Sequence, residues 1–252
     1  MFEIIILSLI QGVTEFLPVS SSSHLILIAN YLDYQKGGLS ADVSLHIGSF
    51  LAVTIYFKKD IFNFISNKIL FLKIFIASIP VMLVGAILVN FNLTDYLRDV
   101  RTIGWTTLIF GILLFISDKS DTQNKIENNL TIKSVIFIGL MQVLSLIPGV
   151  SRSGVTITGA RFLKFKRFDA AKISFLLSIP TLAAVSLFGI KNLIDSNSLE
   201  FTYENFILIF LSFIFSLLTI NYFLKFIKKF SLKFFVIYRI ILGTTILLIY
   251  YL

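Results

Sequence analysis

The sequence predicts an all-α polytopic membrane protein with six transmembrane helices and two re-entrant helix-loop-helix hairpins in an inverted-topology repeat. Three observations lead there: six apolar runs of membrane-crossing character, two further apolar regions interrupted midway by proline and serine, and basic residues gathered in alternate connecting loops. Composition agrees, with 56% hydrophobic and 14% charged residues and a mean hydropathy of +0.90. The connections, each under about 20 residues, are too short to build a soluble core. Residues 1–252 therefore read as one membrane domain, with repeats at about 1–117 and 134–252.

The first broken region is Met1–Leu32. Its arms, Ile4 to Ile10 and Leu25 to Leu32, flank the segment QGVTEFLPVSSSSH at residues 11–24. Each arm is shorter than the about 20 residues a bilayer requires. Pro18 has no N–H and leaves the Thr14 carbonyl without its helical partner, so the first arm should end near Glu15 to Leu17. Ser20, Ser21, Ser22 and Ser23 suit the start of a second helix, whose unpaired N–H groups form a ready anion site. Gln11 and Glu15, four apart, share a helix face.

Three spans follow, Val43–Phe57, Ile74–Phe91 and Thr102–Ile116. The first and third, at about 15 residues, need flanking residues or local thinning to cross. The second broken region, Ser134–Leu163, carries PGVSRSGVT at residues 148–156, and the spans Ile173–Ile190, Asn205–Leu224 and Phe234–Leu252 complete the chain. Loops 58–73, 117–133, 161–172 and 225–233 hold 16 Lys and Arg, whereas 31–42, 92–101 and 191–204 hold 4. By the positive-inside rule the first set is cytoplasmic, which turns the two hairpins in opposite directions. The segments LIQGVTEFLPVSSSS and LMQVLSLIPGVSRSG, and the paired Ser78-Ile79-Pro80 and Ser178-Ile179-Pro180, support an inverted repeat. Such repeats place their site near the midplane, where the half-helices meet.

A net charge of +8 would fit nucleic acid, but the basic residues border apolar segments, so no nucleic-acid partner is expected. The absence of cysteine excludes disulfides, thiolate catalysis and Cys-based metal sites. The N-terminus lacks a basic n-region and a small-residue cleavage site and is expected to be retained. Serine runs are usually loop, lone histidines usually structural, and one glutamate can simply end a helix. Their concentration inside apolar sequence outweighs those readings, because ionisable groups at membrane depth are costly.

Arg152, with Ser151, Ser153 and Thr156 around it, makes a donor-rich setting suited to a phosphate gripped by two parallel hydrogen bonds. The alternative is a structural pair between Arg152 and Glu15. Arg239, six residues into its helix, reads as a snorkelling side chain. Asp42 and His46 share a face, with His46 read as structural.

The two broken regions resemble the signature motifs of the undecaprenyl-diphosphate phosphatase family, also called bacitracin-resistance proteins. The likeness extends through LHIGSFLAV, SFLLSIP and FFVIYRIILG. It implies a multi-pass enzyme of the bacterial cytoplasmic membrane, its site facing outside, that converts undecaprenyl diphosphate to the monophosphate and so recycles the carrier for wall polymers. Matched positions put the acidic motif on Gln11 and Glu15, the hydroxyl on Ser21, the imidazole on His24 and the second motif on Ser151, Arg152 and Ser153. Gln11 stands where an acid is common and cannot act as a base, so any carboxylate role falls to Glu15; Ser23 stands where glycine is common.

The expected catalytic set is Glu15, Ser21, His24 and Arg152, with Gln11, Ser20, Ser22, Ser151, Ser153 and Thr156 binding substrate. A divalent cation, Mg²⁺ or Ca²⁺, is expected on Glu15 and Gln11. The attacker is left open among His24, Ser21 and water. The partners expected are the lipid substrate and membrane lipids, and a homodimer is left open. Two rival readings are a transporter or flippase of polyprenyl phosphate and a non-catalytic lipid-binding protein.

Overall fold

A computed structural model describes residues 1–31, 38–66, 68–91, 93, 97–120, 123–195 and 202–252, excluding the side chains of residues 26, 27, 29–31 and 63–66. The connections expected at 32–37 and 196–201 lie outside the described residues. The described helices are α1 (Phe2–Thr14), α2 (Ser21–Tyr31), α3 (Gly38–Tyr56), α4 (Lys58–Ser66), α5 (Lys68–Asn90), α6 (Val100–Asp118), α7 (Ile126–Asn129), α8 (Ile132–Val143), α9 (Arg152–Phe162), α10 (Arg167–Asp195), α11 (Tyr203–Lys229) and α12 (Lys233–Tyr251).

Six of these, α3, α5, α6, α10, α11 and α12, are long and apolar enough to cross a membrane, and the protein is a multi-pass membrane protein. Five of the six spans exceed the apolar runs that announce them, and α12 equals its run at 19 residues. The two expected to be short are 19-residue helices, about 28 Å at 1.5 Å per residue, so neither needs thinning to cross. The reason is that helix continues through polar ends such as Gly38–Asp42, which interrupt hydropathy without breaking the backbone. Two of the basic connecting segments also contain helix, α4 and α7.

Pro18 and Pro148 fall at helix breaks, but Pro80 and Pro180 lie inside α5 and α10. There the Ser78 hydroxyl donates to the Ile74 carbonyl at 3.0 Å and Ser178 to Phe175 at 2.6 Å, local bonding that accompanies tolerated prolines in apolar surroundings.

Packing is reciprocal between the halves. The half-length α1 lies on α11 and the half-length α8 on α5, while α3 packs on α11 and α10, α10 also meets α5, and α12 packs on α6. Both half-length helices approach through glycine: a Cβ on Gly12 would stand 2.5 Å from Phe215 Cβ, and one on Gly139 2.5 Å from the Ala77 carbonyl oxygen. Small residues allow such contact where no hydrophobic effect separates helix from lipid. Phe16, just past α1, packs edge-on against Phe175 with ring centroids 5.3 Å apart, fixing the first break to the core.

Arg161 departs from expectation. Counted with a cytoplasmic loop, it belongs to α9, is 2% exposed and pairs with Asp118 at 3.4 Å. Asp118 also takes two bonds from Arg167, at 2.7 and 3.1 Å, and the backbone N–H of Leu232 at 3.1 Å. One carboxylate thus joins the C-terminal ends of α6 and α9 to the starts of α10 and α12, which is how the buried charges of Arg161 and Asp118 are held where water is scarce.

Candidate active site

The first break follows from Pro18. α1 stops at Thr14, the chain turns through 15–19, and Ser20 adopts a left-handed φ of 75° before α2 begins. The second break repeats the device with Pro148 and Ser151, whose φ is 70°. Both serines keep their hydroxyls occupied: Ser20 Oγ meets Ser23 Oγ at 2.9 Å, and Ser151 Oγ accepts the Gly154 N–H at 3.1 Å as a helix cap. Gly149, at φ 93°, has room only for hydrogen, because a Cβ would lie 1.9 Å from Thr106 Oγ1.

The breaks meet through charge. Arg152 Nη2 donates to Glu15 Oε1 at 2.9 Å, with both side chains largely withdrawn from solvent. Ser21 Oγ donates to the other oxygen, Glu15 Oε2, at 2.7 Å, and Gln11 Nε2 reaches the same oxygen at 3.2 Å. Ser153 Oγ crosses to the Leu17 carbonyl at 2.7 Å. Thr156 Oγ1 lies 2.8 Å from the Arg152 carbonyl oxygen and 2.7 Å from Ser174 Oγ, within hydrogen-bonding reach of both, holding the first turn of α9 against α10. The structural pair between Glu15 and Arg152 is therefore present, and it joins the C-cap of α1 to the first residue of α9. Ser21, the first residue of α2, bonds the same carboxylate, so two helix N-termini adjoin it, an arrangement suited to anions.

Not every expected residue joins this cluster. Ser22 is exposed and touches only Ser20 Oγ, at 3.3 Å, among the described contacts. Ser151 serves the cap and contacts Ser153 Oγ at 3.2 Å. His24 bonds through Nδ1 to the Ser20 carbonyl at 2.6 Å and through Nε2 to the Tyr238 hydroxyl, with the two rings stacked. A carbonyl only accepts, so this network assigns the proton to Nδ1 and leaves the Nε2 lone pair facing Tyr238. His46, read as structural, is bonded to the Asp42 carbonyl at 2.7 Å and lies within electrostatic reach of Glu15.

Arg239 overturns the snorkelling expectation. It is fully buried, and its five N–H donors meet five carbonyls: Nε to Thr107 at 3.2 Å, Nη1 to Pro18 at 3.3 Å and Val150 at 3.2 Å, Nη2 to Thr106 at 3.5 Å and Gly149 at 2.8 Å. One guanidinium thereby ties α6 and α12 to both breaks. The only sequence signal for this was a cation within an apolar span.

A hard cation seeks oxygen ligands. Among the described residues no group of three or more His, Cys, Asp or Glu could hold a metal alone. The Gln11 Oε1 atom is buried without a hydrogen-bond partner beside the Glu15 carboxylate. Gln11 Oε1, with a Glu15 oxygen released from its present bonds, would fit a cation whose remaining ligands a bound phosphate would supply.

Comparison with known proteins shows the family. The chain is 47% identical to an undecaprenyl-diphosphatase of Pelagibacter ubique (strain HTCC1062), covering 99% of this chain and 97% of the other. It is 42% identical to one from Saccharophagus degradans, over 95% and 94%, and 40% identical to one from Hahella chejuensis, over 97% and 96%. The family described as Bacitracin resistance protein BacA matches residues 4–245, a span that contains both breaks and Arg239, and the chain belongs to that family.

Proposed function

We infer that this chain is an undecaprenyl-diphosphatase, a membrane phosphatase that hydrolyses undecaprenyl diphosphate to undecaprenyl phosphate and inorganic phosphate. It recycles the lipid carrier for cell-wall synthesis and confers bacitracin resistance. The observation that carries this reading is the ion pair between Glu15 and Arg152, set between two helix N-termini and flanked by serine hydroxyls. Phosphoryl transfer chiefly requires in-line positioning and neutralisation of oxygen charge, and those groups supply both.

Arg152 turns from Glu15 toward the terminal phosphate and grips it with its planar fork, assisted by Ser153 and the N–H groups opening α2 and α9. The Ser21 hydroxyl, donating to Glu15 at 2.7 Å, favours Ser21 among the three attackers. Its proton passes to Glu15, the Oγ–P bond forms as the anhydride P–O bond breaks, and undecaprenyl phosphate leaves. Water then hydrolyses the phosphoserine with His24 as acid and base. Gln11 and Glu15 would hold a divalent cation, Mg²⁺ or Ca²⁺, which supplies further charge neutralisation on the diphosphate.

The same reading makes residues 1–252 one domain built as an inverted repeat, with α1–α2 and α8–α9 as re-entrant hairpins. The reciprocal placement of α1 on α11 and α8 on α5 supports it. The reading sets the protein in the bacterial inner membrane with both termini and the catalytic break toward the outside, an orientation that the positive-inside rule supports. Purified protein in detergent should release phosphate from undecaprenyl diphosphate, lose that activity to a chelator and regain it with Mg²⁺ or Ca²⁺. Binding without release overturns the enzyme. On this Cys-free background an impermeant thiol reagent in intact cells should label a cysteine at position 203 and spare one at 228; the reverse overturns the topology.

A further inference from the structure

We propose that the apolar groove beyond the tip of α1, between α11 and the start of α12, receives the polyprenyl tail of the substrate. This rests on the diphosphatase reading above. The groove is open along the helices, with a volume of about 450 Å³, room for a stretch of apolar chain laid along it. Its origin is a difference in helix length. α1 is pressed onto α11 at Gly12 and ends two residues later, because Pro18 forbids its continuation, while α11 runs on to Lys229. The uncovered stripe of α11 is Phe215, Leu218, Thr219, Tyr222 and Phe226, spaced by three and four residues and so on one face. Thr219 bonds its own helix at the Phe215 carbonyl, 2.8 Å away, which leaves hydrocarbon toward the groove.

Two features favour a tail tethered to the site over bulk lipid. First, the walls of the groove lead into the polar cluster. Leu17 on one wall gives its carbonyl to Ser153 and lies two residues from Glu15. Phe234 on the other lies one helical turn before Tyr238, the partner of His24. A lipid whose diphosphate sits at the cluster must send its chain out over apolar surface, and this surface begins there. Second, the equivalent place beyond the tip of α8 is filled. The chain continues from α8 as a 3₁₀ turn, Leu144–Leu146, and a Cβ on Gly85 of α5 would meet Leu146 Cδ2 at 3.5 Å. The groove thus accompanies the break that holds the carboxylate and imidazole. It runs toward Lys228 and Lys229, the cytoplasmic end by charge, so it suits a chain long enough to pass the midplane from a site open on the other face.

The test uses the full-length protein in liposomes and an undecaprenyl diphosphate analogue carrying a photoreactive diazirine near its diphosphate end. Labelling should concentrate on Leu218, Tyr222 and Phe226, spare Phe210 on the lipid-facing side of the same helix, and fall with excess unlabelled undecaprenyl diphosphate. Equal labelling of Phe210, undiminished labelling under competition, or equal labelling by the matching polyprenyl alcohol would overturn the groove as a substrate site. Thr219→Trp, which fills it, should raise KM for undecaprenyl diphosphate about tenfold, the scale set by a misfitted apolar pocket; an unchanged KM in folded protein overturns the proposal. Phosphate release by the wild type, measured in the same liposomes, separates the two ideas. Release with indiscriminate labelling removes the groove alone, whereas specific labelling without release removes the hydrolase and leaves a tail-binding site.

Discussion

The two helix breaks share a backbone device and divide its uses. Each follows a proline and passes through a serine of positive φ into a new helix, a conformation that costs about 1–3 kcal/mol in a residue other than glycine. Around the first, Ser21 is half-buried and Ser22 exposed, and the break carries Glu15 and His24. Around the second, every residue from Ser153 to Arg161 is buried and none is acidic. On the proposed reading the first break carries the reactive groups. The second supplies packed donors, of which only Arg152, outside the fully buried run, would turn on substrate binding.

Arg239 explains how such different surroundings stay in register. Its donors reach Pro18 in one break and Gly149 and Val150 in the other. Backbone carbonyls at membrane depth have no water to turn to, so this single side chain satisfies groups that would otherwise destabilise both loops. On the proposed reading, the ion pair between Glu15 and Arg152 could then open toward substrate without releasing one break from the other.

If the first break performs the chemistry, Glu15→Gln should reduce phosphate release by at least about 10³-fold in protein that still elutes as a folded species, since it removes the carboxylate that takes the Ser21 proton. Were Glu15 only a tether for the second break, the same change would lower the melting temperature and spare turnover of the folded fraction. Arg152→Lys keeps the charge but loses the planar fork, so kcat/KM should fall about 10²-fold with a small change in melting temperature. Wild-type turnover in that variant would place the phosphate away from the second break.

His24→Ala should also cost at least about 10²-fold. Acid-quenched turnover with labelled substrate sharpens the assignment: phosphate trapped on protein should persist in His24→Ala and vanish in Ser21→Ala, and the reverse pattern would give the attack to the imidazole. Arg239→Lys inverts the order of effects. Three donors cannot serve five carbonyls, and leaving two unpaired should cost about 2 kcal/mol or more of stability, seen as a lowered melting temperature that exceeds the activity defect of the folded fraction.

Much of the first break was legible because its parts are contiguous. Gln11, Glu15, Pro18, Ser21 and His24 fall within one segment, where proline chemistry and helical spacing suffice to bring them together. The pairing of Glu15 with Arg152 was legible as an alternative, since a buried guanidinium needs an anion and the nearest one in kind lay in the other break. Arg239 was not legible. Its partners are carbonyls of Pro18, Thr106, Thr107, Gly149 and Val150, atoms every residue has, so no side-chain pattern announces them. His46 showed its spacing to Asp42, but its reach to Glu15 depends on α1 packing against α3. Arg161 was hidden by basic neighbours that do face water.

The smallest expected effect lies at Tyr238, and it tests how far the first break depends on the second half of the chain. Its hydroxyl bonds His24 Nε2 while its ring stacks on the imidazole at 5.7 Å between centroids. Tyr238→Phe keeps the stack and removes the bond, so the ring stays in place but loses the partner that directs its lone pair. One neutral hydrogen bond is worth about 1 kcal/mol, or roughly fivefold in rate. On the proposed reading His24 acts on the covalent intermediate after the lipid has left, so the loss should fall on kcat, with KM falling in step and kcat/KM nearly unchanged. Tyr238→Ala removes the stack as well and should cost more than the phenylalanine change. If the two variants are equally impaired, the hydroxyl does all the positioning and the stacking is incidental. If Tyr238→Phe is indistinguishable from wild type, His24 is held by Ser20 alone, and the chemistry of the first break is complete without the last helix.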